Sequence, residues 1–190
     1  MNRRDALSRV ALILGGTVVG AHVFLEGCNP AEKKAATPGT FSDSDIAYLD
    51  EIADTIIPTT NTPGAKAAKV GAFMTVMVND CYDEKDQKVF FDGMKQLDEA
   101  CNKQFGKSFM DVDATQRKTL LTEIDKEAKD YMAKKKPEDS KHYFRLMKEL
   151  TLLGYFTSEI GATQALRYIA VPGKYEGCIP YKKGDRAWAT

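Results

Sequence analysis

The stretch FFDGMKQLDEACNKQFG, residues 90–106, has the apolar spacing of a helix and no other regular structure. Its apolar side chains recur at intervals of three or four residues: Phe90, Met94, Leu97, Cys101 and Phe105. Gly106 follows the last of them, and glycine is the residue that most often ends a helix in the left-handed conformation. The stretch therefore predicts a long one-sided helix, which is stable only when other apolar faces pack against it.

Segments on both sides have the same period. One follows Ser42, a predicted N-cap, and stops at Pro58, and a second covers residues 70–77. A third follows a predicted capping box at residues 113–116, and a fourth begins at Tyr143. No alternating strand pattern of useful length competes with them. The sequence therefore predicts an all-α fold, a compact helical bundle.

The composition changes near residue 169, where the chain reads IAVPGKYEGCIPYKKGDRAWAT to its end. Proline, glycine and aromatic residues alternate there with no helical period, which predicts an irregular, extended C-terminal tail. Two interpretations stay open. The tail packs over its own bundle, or Tyr175, Tyr181 and Trp188 dock on a partner, because aromatic residues dominate the energy of many protein interfaces.

The first 27 residues have the three parts of an export signal. A basic start contains Arg3 and Arg4, and an apolar stretch at residues 10–25 is shorter than the roughly 20 residues that span a bilayer. The arginine pair resembles the twin-arginine signal for proteins that are exported already folded. The alternative is an ordinary basic start of a general secretory signal.

Residues 25–28, LEGC, resemble a bacterial lipobox, so we expect cleavage before Cys28 and lipid attachment to that cysteine. Residues 28–41 are rich in alanine, lysine and proline and predict a flexible tether. Residues 42–190 then form a single helical domain with the tail at its end. The expected location is periplasmic, on a membrane to which the lipid anchors the protein.

Composition excludes several classes of function. Lys plus Arg and Asp plus Glu each number 27, so the chain lacks the positive charge that favours nucleic-acid binding. Cleavage would leave His142 as the one histidine, which excludes a metal site with several histidine ligands. We interpret His142 as a surface or boundary residue and not as a catalyst. We expect no catalytic residue, cofactor site or metal site in this chain.

The cysteines after Cys28 allow more than one arrangement. Cys81 and Cys101 form the nearest pair, but a disulfide requires their Cα atoms to lie within about 7 Å. A tight helical hairpin would forbid this bridge, and an extended connection at residues 82–86 would allow it. In either arrangement Cys178 is the best candidate to stay free or to bridge to another chain, with a buried, inert thiol as the alternative.

Three segments resemble the gluconate 2-dehydrogenase subunit 3 family. They are ADTIIPTTNTPGAKAAKVGAFM (53–74), GMKQLDEACNKQFGKSF (93–109) and LTLLGYFTSEIGATQALRYIAVPGKYEGC (150–178). The first and third contain the most specific motifs. From these motifs and the aromatic tail we predict a partner interface, with a packing role for each glycine and proline as the alternative: Pro63, Gly64, Gly154, Tyr155, Pro172, Gly173, Tyr175, Cys178 and Trp188.

The resemblance implies a non-catalytic small subunit of a membrane-bound, flavin-dependent sugar, sugar-acid or polyol dehydrogenase. The large partner subunit would hold FAD and the active site, often with a cytochrome c as electron acceptor. Because flavin is inserted before export, the signal on the small subunit would serve the folded pair. The alternatives are a stand-alone periplasmic lipoprotein that acts as a binding module, and an enzyme built on scattered carboxylates.

Overall fold

The computed structural model describes residues 40–171, 173–174 and 176–189. Five α-helices and a π-helical turn follow one another there: α1 Asp43–Ile56, α2 Val70–Cys81, α3 Glu84–Phe105, α4 Ala114–Lys134, α5 Tyr143–Thr157 and the turn Gly161–Ala165. Within those residues there is no strand, and the one isolated β-bridge joins Arg167 to Trp188. The predicted all-α bundle is confirmed.

The predicted helix ends are confirmed by their hydrogen bonds. The Ser42 hydroxyl accepts the Asp45 backbone N–H, and the Asp45 carboxylate accepts the Ser42 N–H at 2.8 Å, which completes a capping box. Asp113 and Gln116 form the same arrangement at the start of α4. Gly106 ends α3 with a φ of 70°, a conformation that glycine adopts without the steric cost of a Cβ atom.

Helix α5 lies at the centre of the bundle and packs against each of the other four helices. Its inner face is apolar over nearly four turns and includes the fully buried Met147. Thr151 is also fully buried, and its hydroxyl donates to the Met147 carbonyl at 2.8 Å, so the polar group is satisfied. Helix α5 is therefore the central element of the bundle, because each of the other four helices packs against it.

The stripe that predicts α3 faces α5. Phe90, Leu97 and Cys101 are fully buried. A Cβ atom on Gly93 would collide with the Tyr143 side chain, so the two helices approach closely at this point. Close helix packing therefore requires the glycine in the middle of an otherwise ordinary amphipathic helix.

The connection between α2 and α3 determines whether Cys81 and Cys101 can form a disulfide. Helix α2 ends at Cys81 and α3 begins at Glu84, so the connection is two residues long and is not the extended stretch that the bridge would need. At 1.5 Å per residue, Cys101 lies about 26 Å along α3 from its start, far beyond disulfide reach. Cys81 and Cys101 are both free thiols, one exposed and one buried, so of the two arrangements left open the bridge between them is not formed.

Candidate partner interface

The two most specific motifs of the sequence meet in space. The Tyr155 hydroxyl, on α5, donates a 2.6 Å hydrogen bond to the carbonyl oxygen of Pro63, in the connection between α1 and α2. Tyr155 is buried and Pro63 is half-buried. Gly64 is buried too, and a Cβ atom there would collide with Asp54 and Thr59. These predicted interface residues therefore pack against one another inside the domain.

Gly154 is buried as well, against α2. A Cβ atom at this position would lie 2.5 Å from the Phe73 ring, so the glycine lets α2 and α5 approach each other. Of the two roles left open for Pro63, Gly64, Gly154 and Tyr155, packing is the one that their burial supports. We infer that these residues hold the bundle together and position its surface.

Several partly buried carboxylates fix the ends and loops of the helices. Asp50 on α1 accepts the Gly71 N–H at 2.7 Å, and so caps the start of α2 from a neighbouring helix. Burial raises the pKa of Asp50, and the hydrogen bond from Gly71 opposes that shift. Asp98 similarly accepts the Phe109 N–H at 2.8 Å. These carboxylates have structural partners within the chain.

Glu51 and Arg117 tie α1 to the start of α4. Arg117 lies 2.5 Å from the Glu51 carboxylate and also donates to the carbonyl oxygens of Phe109 and Met110, at 2.9 and 2.7 Å. Lys66 forms a second ion pair with Glu51, and its hydrogen bond is the main cause that lowers the pKa of Glu51. The cluster therefore holds the loop before α4 in place.

His142 lies at the edge of the core, where it caps α5. Its Nδ1 atom accepts the Phe144 N–H at 3.2 Å, and its ring stacks on Tyr143 with centroids 4.5 Å apart. Burial lowers the pKa of His142, and the nearby Glu127 opposes the shift. The residue that sequence reasoning placed at the boundary thus starts the central helix.

The C-terminal segment does not cover the bundle. From Tyr168 to Trp188, every residue whose position is described is exposed, with Gly173 and Cys178 among them. The end of this segment lies against its start. Arg167 N–H donates to the Ala187 carbonyl at 2.8 Å, and Ala189 N–H donates to the Arg167 carbonyl at 2.7 Å. We call the described residues of this segment, 168–171, 173–174 and 176–188, the C-terminal loop. It is irregular, as predicted, and closed at its base.

A second exposed apolar surface lies on α5, opposite the buried face. Leu152, Leu153 and Phe156 are 42, 46 and 41 % exposed, and we call them the outer face of α5. The earlier turns of that side are charged instead, where Glu149 pairs with Lys141 at 2.9 Å and with Arg145 at 2.7 Å. Sequence reasoning missed this surface. Its signal was the run LTLLGYF, which is apolar on more sides than one buried face requires.

The C-terminal loop has the larger share of exposed apolar side chains. They are Tyr168, Ile169, Val171, Ile179, Tyr181 and Trp188. Exposed apolar surface is a mark of interaction sites on soluble domains when it is concentrated in one place, and these six side chains lie within 21 residues of the chain. Among the other predicted site residues, Pro172, Tyr175, Arg3, Arg4 and Cys28 lie outside the described residues.

The described part of the chain has a shallow surface cleft at the end of α4. Its volume is about 280 Å³, and it is lined by Asp130, Tyr131, Lys134, Lys135 and Asp139. Among residues 40–171, 173–174 and 176–189, no three His, Cys, Asp or Glu side chains are grouped as a metal site would require. None of the helices described there is long and apolar enough to cross a bilayer.

Comparison with known proteins gives one match. The family model described as Gluconate 2-dehydrogenase subunit 3 matches residues 43–173, which include all five helices, the π-helical turn and the start of the C-terminal loop. No curated protein and no solved structure matches the chain. The match covers more than half of the chain, including the first two segments that resemble that family and residues 150–173 of the third.

Proposed function

Because the chain belongs to the gluconate 2-dehydrogenase subunit 3 family, we propose that it is the non-catalytic small subunit that binds and stabilises a flavin-dependent dehydrogenase. The family name describes a subunit of a dehydrogenase complex, so membership of this chain in the family implies that it associates with such a complex. The finer proposal concerns what this subunit does there. Its partner would oxidise a sugar, sugar acid or polyol.

The observation that supports a binding role is the contrast between the two sides of α5. The inner face is buried against four helices, whereas the outer face exposes Leu152, Leu153 and Phe156. Water contact with large apolar side chains is unfavourable, and burying one fully is worth about 1.5–3 kcal/mol. A partner that covers this face and the C-terminal loop would therefore gain stability from residues that the domain itself leaves exposed.

In this proposal the catalytic reaction takes place in the large subunit. FAD and the substrate site would lie there, and a cytochrome c would accept the electrons. Asp50, Asp98 and His142 already hold helix starts and a loop of this chain in place. The small subunit would act by binding and positioning.

Export and anchoring complete the proposed role. A flavoprotein must acquire its cofactor and fold in the cytoplasm, so a large subunit without its own signal needs a route for folded cargo. Arg3 and Arg4 would direct the assembled pair to the twin-arginine route, and lipid on Cys28 would then hold the pair on the periplasmic side of a membrane. Both steps rest on the sequence motifs alone.

The decisive experiment is affinity purification of the full chain from its native membranes in mild detergent. We expect a larger subunit with the visible absorption of flavin to purify with it. A colourless single chain that binds no dehydrogenase would contradict the proposal and favour a stand-alone lipoprotein. The purified chain, tested alone with sugars and a dye acceptor, should show no turnover.

Export and anchoring are tested separately by two variants of the full chain. Arg3→Lys combined with Arg4→Lys should leave the dehydrogenase active in the cytoplasm and absent from the periplasm. Cys28→Ser should release active complex from the membrane or block processing of the signal. Unchanged location in both variants would contradict the assigned roles of these residues and leave the binding role intact.

A further inference from the structure

Arg167 and Trp188 close the base of the C-terminal loop by three interactions. Two backbone hydrogen bonds, at 2.8 and 2.7 Å, join Arg167 to Ala187 and Ala189. The Arg167 guanidinium also lies over the Trp188 ring, 4.4 Å from its centroid. The Nε atom of Arg167 is buried and has no hydrogen-bond partner in the described part of the chain. The negative face of an indole ring attracts such a cation, most strongly where water is excluded.

Closure restricts a segment that would otherwise sample many conformations. Joining the ends of a loop removes entropy from every residue between them. A turn further along adds order, since Lys182 N–H donates to the Asp185 carboxylate and Asp185 N–H donates to the Lys182 carbonyl, both at 3.0 Å. Gly184 within this turn has a φ of 96°, which favours glycine. The loop is therefore partly organised before any partner binds.

This order is not used to build the core of the domain. Val171 and Tyr181 are 82 and 76 % exposed, and Tyr168 and Ile169 are more than half exposed. Ordering a segment whose apolar side chains stay in water adds little to the stability of the fold. It favours binding, because a preorganised surface loses less entropy when a partner covers it.

The charge of the loop indicates the kind of surface it would meet. Lys182, Lys183 and Arg186 are opposed by Asp185 alone within the last part of the loop, whereas Lys174 is paired with Glu176 at 2.6 Å. The whole chain is balanced at 27 charges of each sign, so this excess of positive charge is local. A complementary surface would be apolar at its centre and acidic at its rim.

We propose that the C-terminal loop is a preorganised docking element for an apolar, acid-rimmed surface of the dehydrogenase catalytic subunit. Arg167 and Trp188 are its positioning residues, and Tyr181 is a contact residue. This inference rests on the proposed function, because the partner is the subunit whose binding is proposed there.

The test uses the full chain co-expressed with the flavin-containing subunit that purifies with it. Each variant is captured by affinity tag, and the ratio of flavin to small subunit and the rate of dissociation after dilution are measured. Trp188→Ala should speed dissociation about tenfold, and Trp188→Phe should retain most of the wild-type behaviour because its ring still faces the cation. Tyr181→Ala should also speed dissociation about tenfold as an aromatic contact residue. The melting temperature of the uncomplexed chain should stay unchanged in these variants.

Two matched controls separate the loop from exposed surface in general. Val76→Ala alters an apolar side chain on α2 that is 57 % exposed, and should leave dissociation unchanged. Reversing charge in the loop with Lys182→Glu and Lys183→Glu should lower capture, whereas Lys118→Glu with Lys126→Glu on the exposed side of α4 should not.

The outcomes distinguish this inference from the proposed function. If the wild-type chain captures the flavin-containing subunit but Trp188→Ala and Tyr181→Ala do so equally well, the inference is overturned and the proposed function stands. If the wild-type chain captures no flavoprotein, both fall. Should the loop variants lose binding only to vesicles of phosphatidylcholine and phosphatidylglycerol, the loop contacts the membrane and the inference is overturned. If Trp188→Ala does not fold, Tyr181→Ala decides the question.

Discussion

The Tyr155 hydroxyl donates a 2.6 Å hydrogen bond to the Pro63 carbonyl, and this contact joins the end of the central helix to the connection between α1 and α2. The two residues are far apart in the chain and belong to the two motifs most specific to the family. Each motif therefore provides half of one part-buried hydrogen bond, between residues 92 positions apart in the chain.

Tyr155→Phe tests this contact directly. The substitution leaves the buried ring in place and removes the donor, so the Pro63 carbonyl loses its partner. We expect the free energy of unfolding to fall by about 1–2 kcal/mol, measured by urea denaturation. Tyr131→Phe is the matched control, because that hydroxyl also donates to a carbonyl, of Ser140, but on the exposed surface. An equal effect of both changes would contradict the importance of the buried bond.

Gly154→Ala tests the close approach of α2 and α5. Alanine normally stabilises a helix over glycine by about 0.5–1 kcal/mol. Here its Cβ atom would lie 2.5 Å from the Phe73 ring, so we expect a loss of about 1–3 kcal/mol instead. Phe73→Ala should remove much of this penalty in the double variant. Additive effects of the two changes would show that the collision does not occur.

Arg117→Met tests the cluster that holds the loop before α4. Its side chain is 15 % exposed and binds Glu51 and two carbonyl oxygens, so its removal takes the donor from both carbonyl oxygens and leaves Glu51 with Lys66 alone. We expect a loss of about 3 kcal/mol in the free energy of unfolding. Lys66→Met removes the other partner of Glu51. The Lys66 side chain is 55 % exposed, so this change should lower the free energy of unfolding by less than about 1 kcal/mol. The reverse order would contradict this account.

His142→Asn tests the pH dependence of the start of α5. Burial holds the pKa of His142 below 6.5, so the folded state favours the neutral ring whose Nδ1 accepts the Phe144 N–H. This contribution is fully present above about pH 6.5, the pKa in the unfolded chain, and is lost as pH falls through the lower folded value. Asparagine caps a helix without titrating. The wild-type chain should therefore lose stability relative to the variant as the pH falls below about 6.5, and parallel curves would contradict the assignment.

Leu153→Glu on the outer face of α5 tests the interface. The side chain is exposed, so the melting temperature of the uncomplexed chain should change little. A charge placed in an apolar contact has to be desolvated, and we expect at least tenfold less flavin-containing subunit to be captured. Arg145→Glu, on the charged turns of the same side, is the control. It changes charge outside the apolar patch and should retain capture.

Local patterns predicted the helices well for a physical reason. The capping pairs Ser42 with Asp45 and Asp113 with Gln116 involve neighbours in the chain, and so does the stripe that ends at Gly106. Such features depend on residues within one or two helical turns. They are therefore visible in the sequence before any tertiary contact is known.

The candidate site was predicted less completely. Exposed Trp188 and Cys178 remain interface predictions, whereas Gly154 and Tyr155 lie in the interior. The outer face of α5 went unnoticed, because an apolar helix does not show which of its sides the bundle covers. Arg167 was not singled out, since its partner Trp188 becomes a neighbour only when the loop closes.

The sequence by itself determined the helical class, the helix ends that carry a capping residue and the family, because periodicity, caps and motifs are encoded in short stretches of chain. Only the tertiary structure decided that Gly154 and Tyr155 pack inside, that Cys81 and Cys101 stay apart, and that the chain end returns to Arg167. Each of these depends on contacts between residues distant in sequence. The free energy of such contacts depends on which surfaces pack together when the bundle folds, and a local sequence pattern does not contain that information.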